Sequence, residues 1–137
     1  MARPQQKRVT LGGTPEPELC MAERQKLLFV CSQNKIRSLT AESLFRGSSH
    51  YEARSAGTEA DARIKVTAGH IGWADVIFVM EKRHRERLRR KFRAEIEGKR
   101  VITLFVPDEF EPMAPELIEL LQERLRPYLD LSADGAP

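Results

Sequence analysis

Four short segments with strand-like patterns are spaced along the chain, at residues 27–31, 51–56, 75–80 and 100–106. In the first and third, LLFVC and DVIFVM, apolar residues stand at consecutive positions rather than at alternate ones. That pattern predicts strands buried on both faces of a sheet. We therefore expect four strands, the second ending in a turn at Gly57.

Helical patterns fill the intervals between these strands. Glycines at positions 47 and 98 end two of the patterns, and leucines and isoleucines at helical spacing mark the last one. The expected helices are residues 39–45, about 60–71, 81–93 and 115–129. An order of strand, helix, strand, helix predicts an α/β domain whose mostly parallel sheet is covered on both faces. Ligands of such sheets bind beyond the carboxyl ends of the strands.

The periodic part of the chain has clear limits. Residues 1–24 contain three prolines and the pair Gly12-Gly13 but no periodicity, which predicts a disordered N-terminal extension. Met21, just before the first strand, is an alternative natural start. We expect one domain at residues 25–130, because 137 residues suffice for a single well-buried core, and a flexible tail at 131–137.

Composition bears on the expected location of the protein and on the state of its cysteines. Hydrophobic residues make up 41% of the chain and charged residues 31%, and no apolar run reaches the roughly 20 residues that span a bilayer. The N-terminus lacks the pattern of a secretory signal, so a cytoplasmic location without membrane association is expected. The two cysteines, Cys20 and Cys31, are then expected to be reduced thiols. The net charge of +3 suits an anionic ligand.

The segment CSQNKIRS, residues 31–38, joins the first strand to the first helix. A loop at the N-terminus of a helix directs backbone N–H groups at an anion, and the same positive field favours the thiolate of a cysteine placed there. Asn34 tolerates the positive φ that such loops need, and Arg37 offers a fork for two phosphate oxygens. The segment therefore predicts a phosphate-binding loop. The alternative, a small core cysteine and an unrelated surface arginine, is equally compatible with composition and spacing.

The same segment resembles the signature of the low-molecular-weight protein tyrosine phosphatases, a Cys, five residues, an Arg and a Ser. Further similarity lies in Thr40-Ala41-Glu42, in Phe45-Arg46, in Ser55-Ala56-Gly57-Thr58 and in residues 74–81, and extends over about residues 26–129. The resemblance implies a three-layer sandwich around a four-stranded, mostly parallel sheet of flavodoxin-like architecture. It also implies a hydrolase that needs no cofactor and no metal.

Residue roles follow from the resemblance. Cys31 would attack phosphorus to give a cysteinyl-phosphate, Ser38 would donate a hydrogen bond to its thiolate, and Asp108 would protonate the leaving group, with Glu109 as the alternative acid. Phe110 would form an aromatic wall or belong to the core. The phosphate would be bound by Ser32, Gln33, Asn34, Lys35, Ile36, Arg37 and Ser38. The three histidines, His50, His70 and His84, are far apart in sequence, which favours surface or structural roles over metal binding.

Several positions depart from the family pattern. Gln33 replaces a usual glycine, Ile36 a second loop cysteine and Leu39 a proline, and the span from Thr58 to Asp75 is shorter than usual. These departures imply a compact variant subfamily. They also leave Cys31 without the usual partner for a protective disulfide, so that its oxidation would proceed to irreversible acids.

The expected partner is a phosphorylated protein or a small phosphomonoester. The basic stretch from Lys82 to Arg93 is either a solvated helix face or a site of weak nucleic-acid contact. A noncatalytic phosphate- or RNA-binding module is the alternative function. Arsenate reductase, which shares this fold and loop, is disfavoured because it needs further cysteines downstream of Cys31, and the sequence has none.

Overall fold

The computed structural model of the protein describes residues 24–131. The predicted N-terminal extension and C-terminal tail lie outside the described residues, except for Arg24 and Leu131. The elements in chain order are β1 (Gln25–Cys31), α1 (Arg37–Ser43), β2 (Tyr51–Gly57), α2 (Ala68–Trp73), β3 (Val76–Val79), α3 (Lys82–Lys91), α4 (Arg93–Ile96), β4 (Arg100–Thr103) and α5 (Pro115–Leu125).

The four strands form one sheet in the order β2-β1-β3-β4, and every neighbouring pair is parallel. Phe29 of β1 stands opposite Ser55 of β2 and Phe78 of β3, so the two most apolar strands lie at the centre of the sheet. The prediction of a four-stranded α/β sheet is confirmed. All of its strand pairs are parallel because each connection between strands passes over a face of the sheet.

Alternate residues of β1 supply two separate cores. Leu27 and Phe29 face one core together with α1 and α5, whereas Leu28 and Val30 face the other together with α2, α3 and α4. Both faces of β1 are therefore buried, which explains its continuous apolar run. The connection after β1 and the connection after β3 run over opposite faces of the sheet, so a crevice opens between the carboxyl ends of these neighbouring strands.

The predicted bounds of one helix are mostly wrong. The helix expected at about 60–71 begins only at Ala68 and ends at Trp73, because residues 58–63 are hydrogen-bonded to another segment. The backbone N–H groups of Thr58, Glu59 and Arg63 donate to the carbonyls of residues 31, 32 and 33. These tertiary bonds hold residues 58–63 against the loop that follows β1, and local sequence does not reveal them.

Other element boundaries also differ from the prediction. The basic helix splits at Phe92, whose φ of −121° and ψ of 45° separate α3 from α4. The last strand ends at Thr103 rather than Val106, because Phe105 has a left-handed φ of 57°. The first helix spans residues 37–43 rather than 39–45 and is followed by a turn ending at Gly47, whose φ is 83°. The terminal helix ends at Leu125, and Leu129 beyond it is still buried.

Candidate active site

The loop between β1 and α1 lies in the crevice at the edge of the sheet. Cys31 is the last residue of β1 and is 3% exposed, and α1 begins at Arg37. The loop therefore leaves the middle of the sheet and turns directly into a helix N-terminus. Backbone N–H groups in the first turn of a helix have no partner within the helix and attract an anion.

Asn34 and Ser38 support the sulfur of Cys31 from inside the protein. Asn34 has a φ of 59°, which directs its backbone N–H at the Cys31 Sγ, 3.3 Å away. Its side-chain Nδ2 donates to Ser38 Oγ over 2.8 Å, and Ser38 Oγ lies 3.0 Å from the sulfur. Because Ser38 accepts from Asn34, its own hydroxyl hydrogen is available to the sulfur. Two donors thus converge on Sγ, an arrangement suited to a thiolate acceptor.

Arg37 is the largest fully buried side chain among the described residues, at 2% exposure. Its Nη1 donates to Glu81 Oε2 over 2.5 Å and to the carbonyl of Val106 over 2.8 Å. Both Nη1 hydrogens are used in this way, which leaves the Nε and Nη2 edge of the guanidinium for a ligand. The Nε of Arg37 lies 3.9 Å from Asp108 Oδ1, so this edge faces the loop that carries Asp108.

Glu81 follows β3 and holds Arg37 in place. Hydrogen bonds from Arg83, and the hydrogen bond and charge of Arg37, lower the pKa of Glu81 to about 2, although its partial burial acts in the opposite direction. Its Oε1 accepts from Arg83 Nε over 3.0 Å. Glu81 is therefore ionised at neutral pH and balances the charge of the buried arginine.

His84, in the first turn of α3, connects that helix to the candidate phosphate loop. Its Nδ1 accepts from the backbone N–H of Glu81 over 3.0 Å, which places the ring hydrogen on Nε2. Nε2 lies 2.9 Å from Ser32 Oγ and so donates to it. Burial first, and then the charge of Arg37, lower the pKa of His84 to about 4. A neutral imidazole therefore holds Ser32.

Residues 58–63 cover the loop from the side of β2. The backbone N–H of Thr58 donates to the Cys31 carbonyl over 3.0 Å, and that of Glu59 donates to the Ser32 carbonyl over 2.9 Å. This approach requires Gly57, because a Cβ there would lie 2.5 Å from the Ser32 carbonyl oxygen and 2.6 Å from the Cβ of Ala62. The glycine of the SAGT motif is therefore a packing requirement of the loop.

An open cavity of about 490 Å³ lies above the loop. Glu59, Asp61, Arg83 and Asp108 line its outer part, and the loop residues that line it are Cys31, Ser32, Gln33, Lys35, Ile36 and Arg37. The structure thus brings Cys31, Arg37 and Asp108, residues separated by up to 77 positions, to one opening. The side chain of Asp108 is 59% exposed. Asn34 and Ser38 are fully buried behind the loop.

Solved structures with a similar fold include two tyrosine phosphatases. SP-PTP, a low-molecular-weight protein tyrosine phosphatase from Streptococcus pyogenes, is 18% identical, with a TM-score of 0.63 over 77% of this chain and 94% of that one. The tyrosine phosphatase Wzb from Escherichia coli K30, solved with phosphate, is 21% identical, with a TM-score of 0.60 over 77% and 96%. The chain has the fold of the low-molecular-weight protein tyrosine phosphatases.

The same fold occurs in YwlE, an arginine phosphatase from Geobacillus stearothermophilus, at 23% identity and a TM-score of 0.54 over 74% of this chain and 90% of that one. No protein-family model matches the sequence. No curated protein matches it significantly either. The structure therefore confirms the three-layer architecture that the sequence resemblance implied.

Of the positions that depart from the low-molecular-weight phosphatase pattern, Gln33 and Ile36 line the cavity, whereas Leu39 lies within α1 and does not. Gln33 is exposed, and its Nε2 donates to Asp61 Oδ2 over 3.1 Å. Arg63 Nε donates to the Asn34 carbonyl over 3.2 Å. The shortened span after Thr58 thus folds against the loop and forms a polar rim of its own.

Two expected or alternative site residues lie away from the cavity. Glu109 is exposed and is not in its lining, and Phe110 packs against the core shared by α1 and α5 rather than forming an aromatic wall. Within residues 24–131, no group of three His, Cys, Asp or Glu side chains is placed to hold a metal ion. No helix in the described range is long and apolar enough to cross a bilayer.

Sequence reasoning missed the residues that hold the loop from β3 and α3. Glu81 and His84 both contact loop residues, yet the sequence indicated only a strand end and a structural histidine. The spacing of these two residues carried a usable signal. In a Glu-x-x-His segment at a helix start, His84 at the third helical position reaches back to the backbone N–H of Glu81 and caps the helix.

Proposed function

We propose that the protein is a cysteine-dependent phosphomonoester hydrolase of the low-molecular-weight protein tyrosine phosphatase family, acting on phosphotyrosine through a cysteinyl-phosphate intermediate. The reaction needs Cys31 as a free thiol, which suits the reducing cytoplasm. Cys31 is a free cysteine.

One observation carries the proposal: a cysteine sulfur, a buried arginine and a carboxylate meet at one cavity. The sulfur accepts from Asn34 and Ser38, the Nε and Nη2 edge of Arg37 faces outward, and Asp108 stands at the opening. A thiolate beside a guanidinium fork suits an electrophile that carries negatively charged oxygens. A phosphoryl group has that character.

In the first step the Cys31 thiolate attacks phosphorus in line with the bond to the leaving group. The S–P bond forms while the P–O bond to the tyrosine oxygen breaks, and Asp108 gives that oxygen a proton. Arg37 and the backbone N–H groups of the loop stabilise the equatorial oxygens. In the second step water attacks phosphorus, Asp108 takes its proton, and inorganic phosphate leaves as the thiolate is restored.

The wider family offers a second substrate class, because YwlE is an arginine phosphatase. Phosphoarginine has a P–N bond, and the same Cys31 attack would apply to it. Phosphotyrosine is the primary proposal because SP-PTP and Wzb, both tyrosine phosphatases, give the higher TM-scores of the three structures. Phosphoserine has a much poorer leaving group, an alkoxide rather than a phenolate, and is expected to react more slowly.

The test is hydrolysis of p-nitrophenyl phosphate and of phenyl phosphate, without metal and under reducing conditions. Cys31→Ser should abolish turnover, while Cys20→Ser, which replaces the other cysteine of the sequence, should retain it. Asp108→Asn should lower kcat by about 10² or more with phenyl phosphate, because general acid catalysis is worth about that factor. The loss should be smaller with p-nitrophenyl phosphate, whose leaving group needs less help.

Glu109→Gln is the matched control for Asp108→Asn, since it removes a neighbouring carboxylate outside the cavity lining. Full activity in Cys31→Ser would exclude the thiolate mechanism. A larger loss in Glu109→Gln than in Asp108→Asn would move the acid role to Glu109. A folded wild type that binds phosphate but hydrolyses none of these substrates, nor phosphotyrosine or phosphoarginine peptides, would instead be a noncatalytic phosphate-binding module.

A further inference from the structure

A second cavity, of about 270 Å³, lies beside α3 and is here called the basic cavity. Its floor is apolar and its rim is cationic. The floor is formed by Val66, Leu88 and Phe92, and the rim by Arg87, Arg90 and Lys91, with Thr58 completing the lining. None of these seven residues carries a carboxylate, and three carry a positive charge, so the lining favours an anionic group.

The cations of the rim are only partly compensated. Arg87 donates to Glu59 Oε2 over 2.9 Å and thereby has an acidic partner. Lys91 instead has Lys65 as its neighbour, and the charge of Lys65 holds the pKa of Lys91 below its ordinary value. Bringing like charges together is unfavourable unless an anion lies between them.

Thr58 also lines the basic cavity, but its Oγ1 is buried and is not exposed to it. The cationic rim therefore supplies the groups that would bind a phosphate.

The basic cavity and the catalytic cavity share one wall. Thr58 lines the first and Glu59 lines the second, and their backbone N–H groups donate to the carbonyls of Cys31 and Ser32. Arg87 reinforces the wall by donating to the Thr58 carbonyl as well as to Glu59. The two cavities are therefore neighbours, separated by this two-residue wall.

We propose that the basic cavity is a second phosphate subsite that binds another phosphate group of the same substrate. The inference rests on the proposed phosphatase function for its catalytic half and narrows the substrate to a small aryl phosphate that carries a second phosphate group. The limited volume of the cavity favours a small molecule over a polymer strand. Selectivity arises because Arg90 and Lys91 bind the phosphate that is not cleaved.

The first experiment measures binding alone and does not depend on catalysis. Inorganic phosphate is titrated into Cys31→Ser protein, and the amide signals of Leu88 and Phe92 are followed by NMR beside that of Asn34 in the loop. Saturable shifts at Leu88 and Phe92 are expected. The double variant R90Q/K91Q should weaken them about tenfold or more, since charge-assisted hydrogen bonds to phosphate are lost. The matched control R89Q/R93Q removes two exposed cations outside the cavity lining and should leave them unchanged.

The second experiment compares kcat/KM for aryl bisphosphates of different spacing, 1,4-phenylene bisphosphate and biphenyl 4,4′-bisphosphate, with phenyl phosphate and biphenyl 4-phosphate. At least one bisphosphate should be preferred, and R90Q/K91Q should reduce that preference about tenfold while R89Q/R93Q keeps it. Absence of saturable shifts at the cavity would overturn the subsite. Shifts without preference for any bisphosphate would mean an adventitious ion only. If no substrate is hydrolysed, the phosphatase function fails while the NMR titration still decides the subsite.

Discussion

His84 makes the stability of the fold depend on pH in a way that one substitution can isolate. The imidazole is 1% exposed, and burial together with the charge of Arg37 lowers its pKa from 6.5 to about 4. Below pH 6.5 the unfolded chain binds a proton at His84, and the folded chain does not until about pH 4. The folded state therefore loses stability as the pH falls through this window.

The size of the effect follows from the two pKa values. A difference between 6.5 and about 4 is worth about 3 kcal/mol in the free energy of unfolding over the full window. Glu81 adds a second loss of stability below about pH 4.5. Its pKa is lowered to about 2 in the folded state, so the unfolded chain takes up a proton there first. Between pH 7 and pH 4.5 the contribution of Glu81 is small, and the expected loss from His84 is about 2 kcal/mol. Burial and the charge of Arg54 also lower the pKa of His70, so the contribution of His84 is taken from the difference between the wild type and a variant at that position.

The substitution is His84→Gln, since a glutamine amide can also accept from Glu81 and donate to Ser32. Urea unfolding at several pH values should show that the wild type loses about 2 kcal/mol more than the variant between pH 7 and pH 4.5. His50→Gln, at an exposed histidine, is the control and should follow the wild type. Parallel curves for the wild type and His84→Gln would refute the assignment of a neutral, buried His84.

Two further predictions concern the packing and the charge of the loop. Gly57→Ala should destabilise the fold by about 1–3 kcal/mol in urea unfolding, because its Cβ would collide with the Ser32 carbonyl, whereas Gly72→Ala has free space and should not. Equal stability of these two variants would contradict the close approach. Glu81→Gln should lower kcat/KM for p-nitrophenyl phosphate about tenfold, since Arg37 loses a charge-assisted hydrogen bond. Unchanged kinetics would mean that the Val106 carbonyl alone orients Arg37.

The central strands and the placing of Cys31 and Arg37 in one loop could be predicted because their signals are local. Strand β1 is apolar at consecutive positions because both of its faces are buried, and its last residue is the cysteine at the sheet edge. The chain then turns into α1 within five residues, so Cys31 and Arg37 are brought to one loop by local sequence alone. The role of Asp108 as the acid is a prediction that comes only from the family resemblance.

The rest of the site depends on contacts between distant segments. A helix was expected from about residue 60, but the N–H groups of Thr58, Glu59 and Arg63 donate to loop carbonyls about 30 positions earlier. Phe105 ends β4 with a left-handed φ that an aromatic residue seldom adopts. Arg124 Nη1 donates to its carbonyl over 3.0 Å and to that of Leu104 over 2.9 Å. Such tertiary bonds leave no pattern in the local sequence.

The burial of Arg37 argues that this edge of the sheet is built for a ligand rather than for stability. A buried guanidinium with a carboxylate partner is often no more stable than an apolar pair of the same volume, because both charges must be desolvated. Residues from two other connections nevertheless contact Arg37, which lies at the start of α1. Glu81 follows β3, Val106 follows Phe105 after β4, and both accept hydrogen bonds from the guanidinium. Glu81 and Val106 use only the Nη1 end, and the opposite edge is kept toward the cavity beside Cys31. An arrangement that fixes one end of a cation and presents the other is what recognition of a phosphate requires.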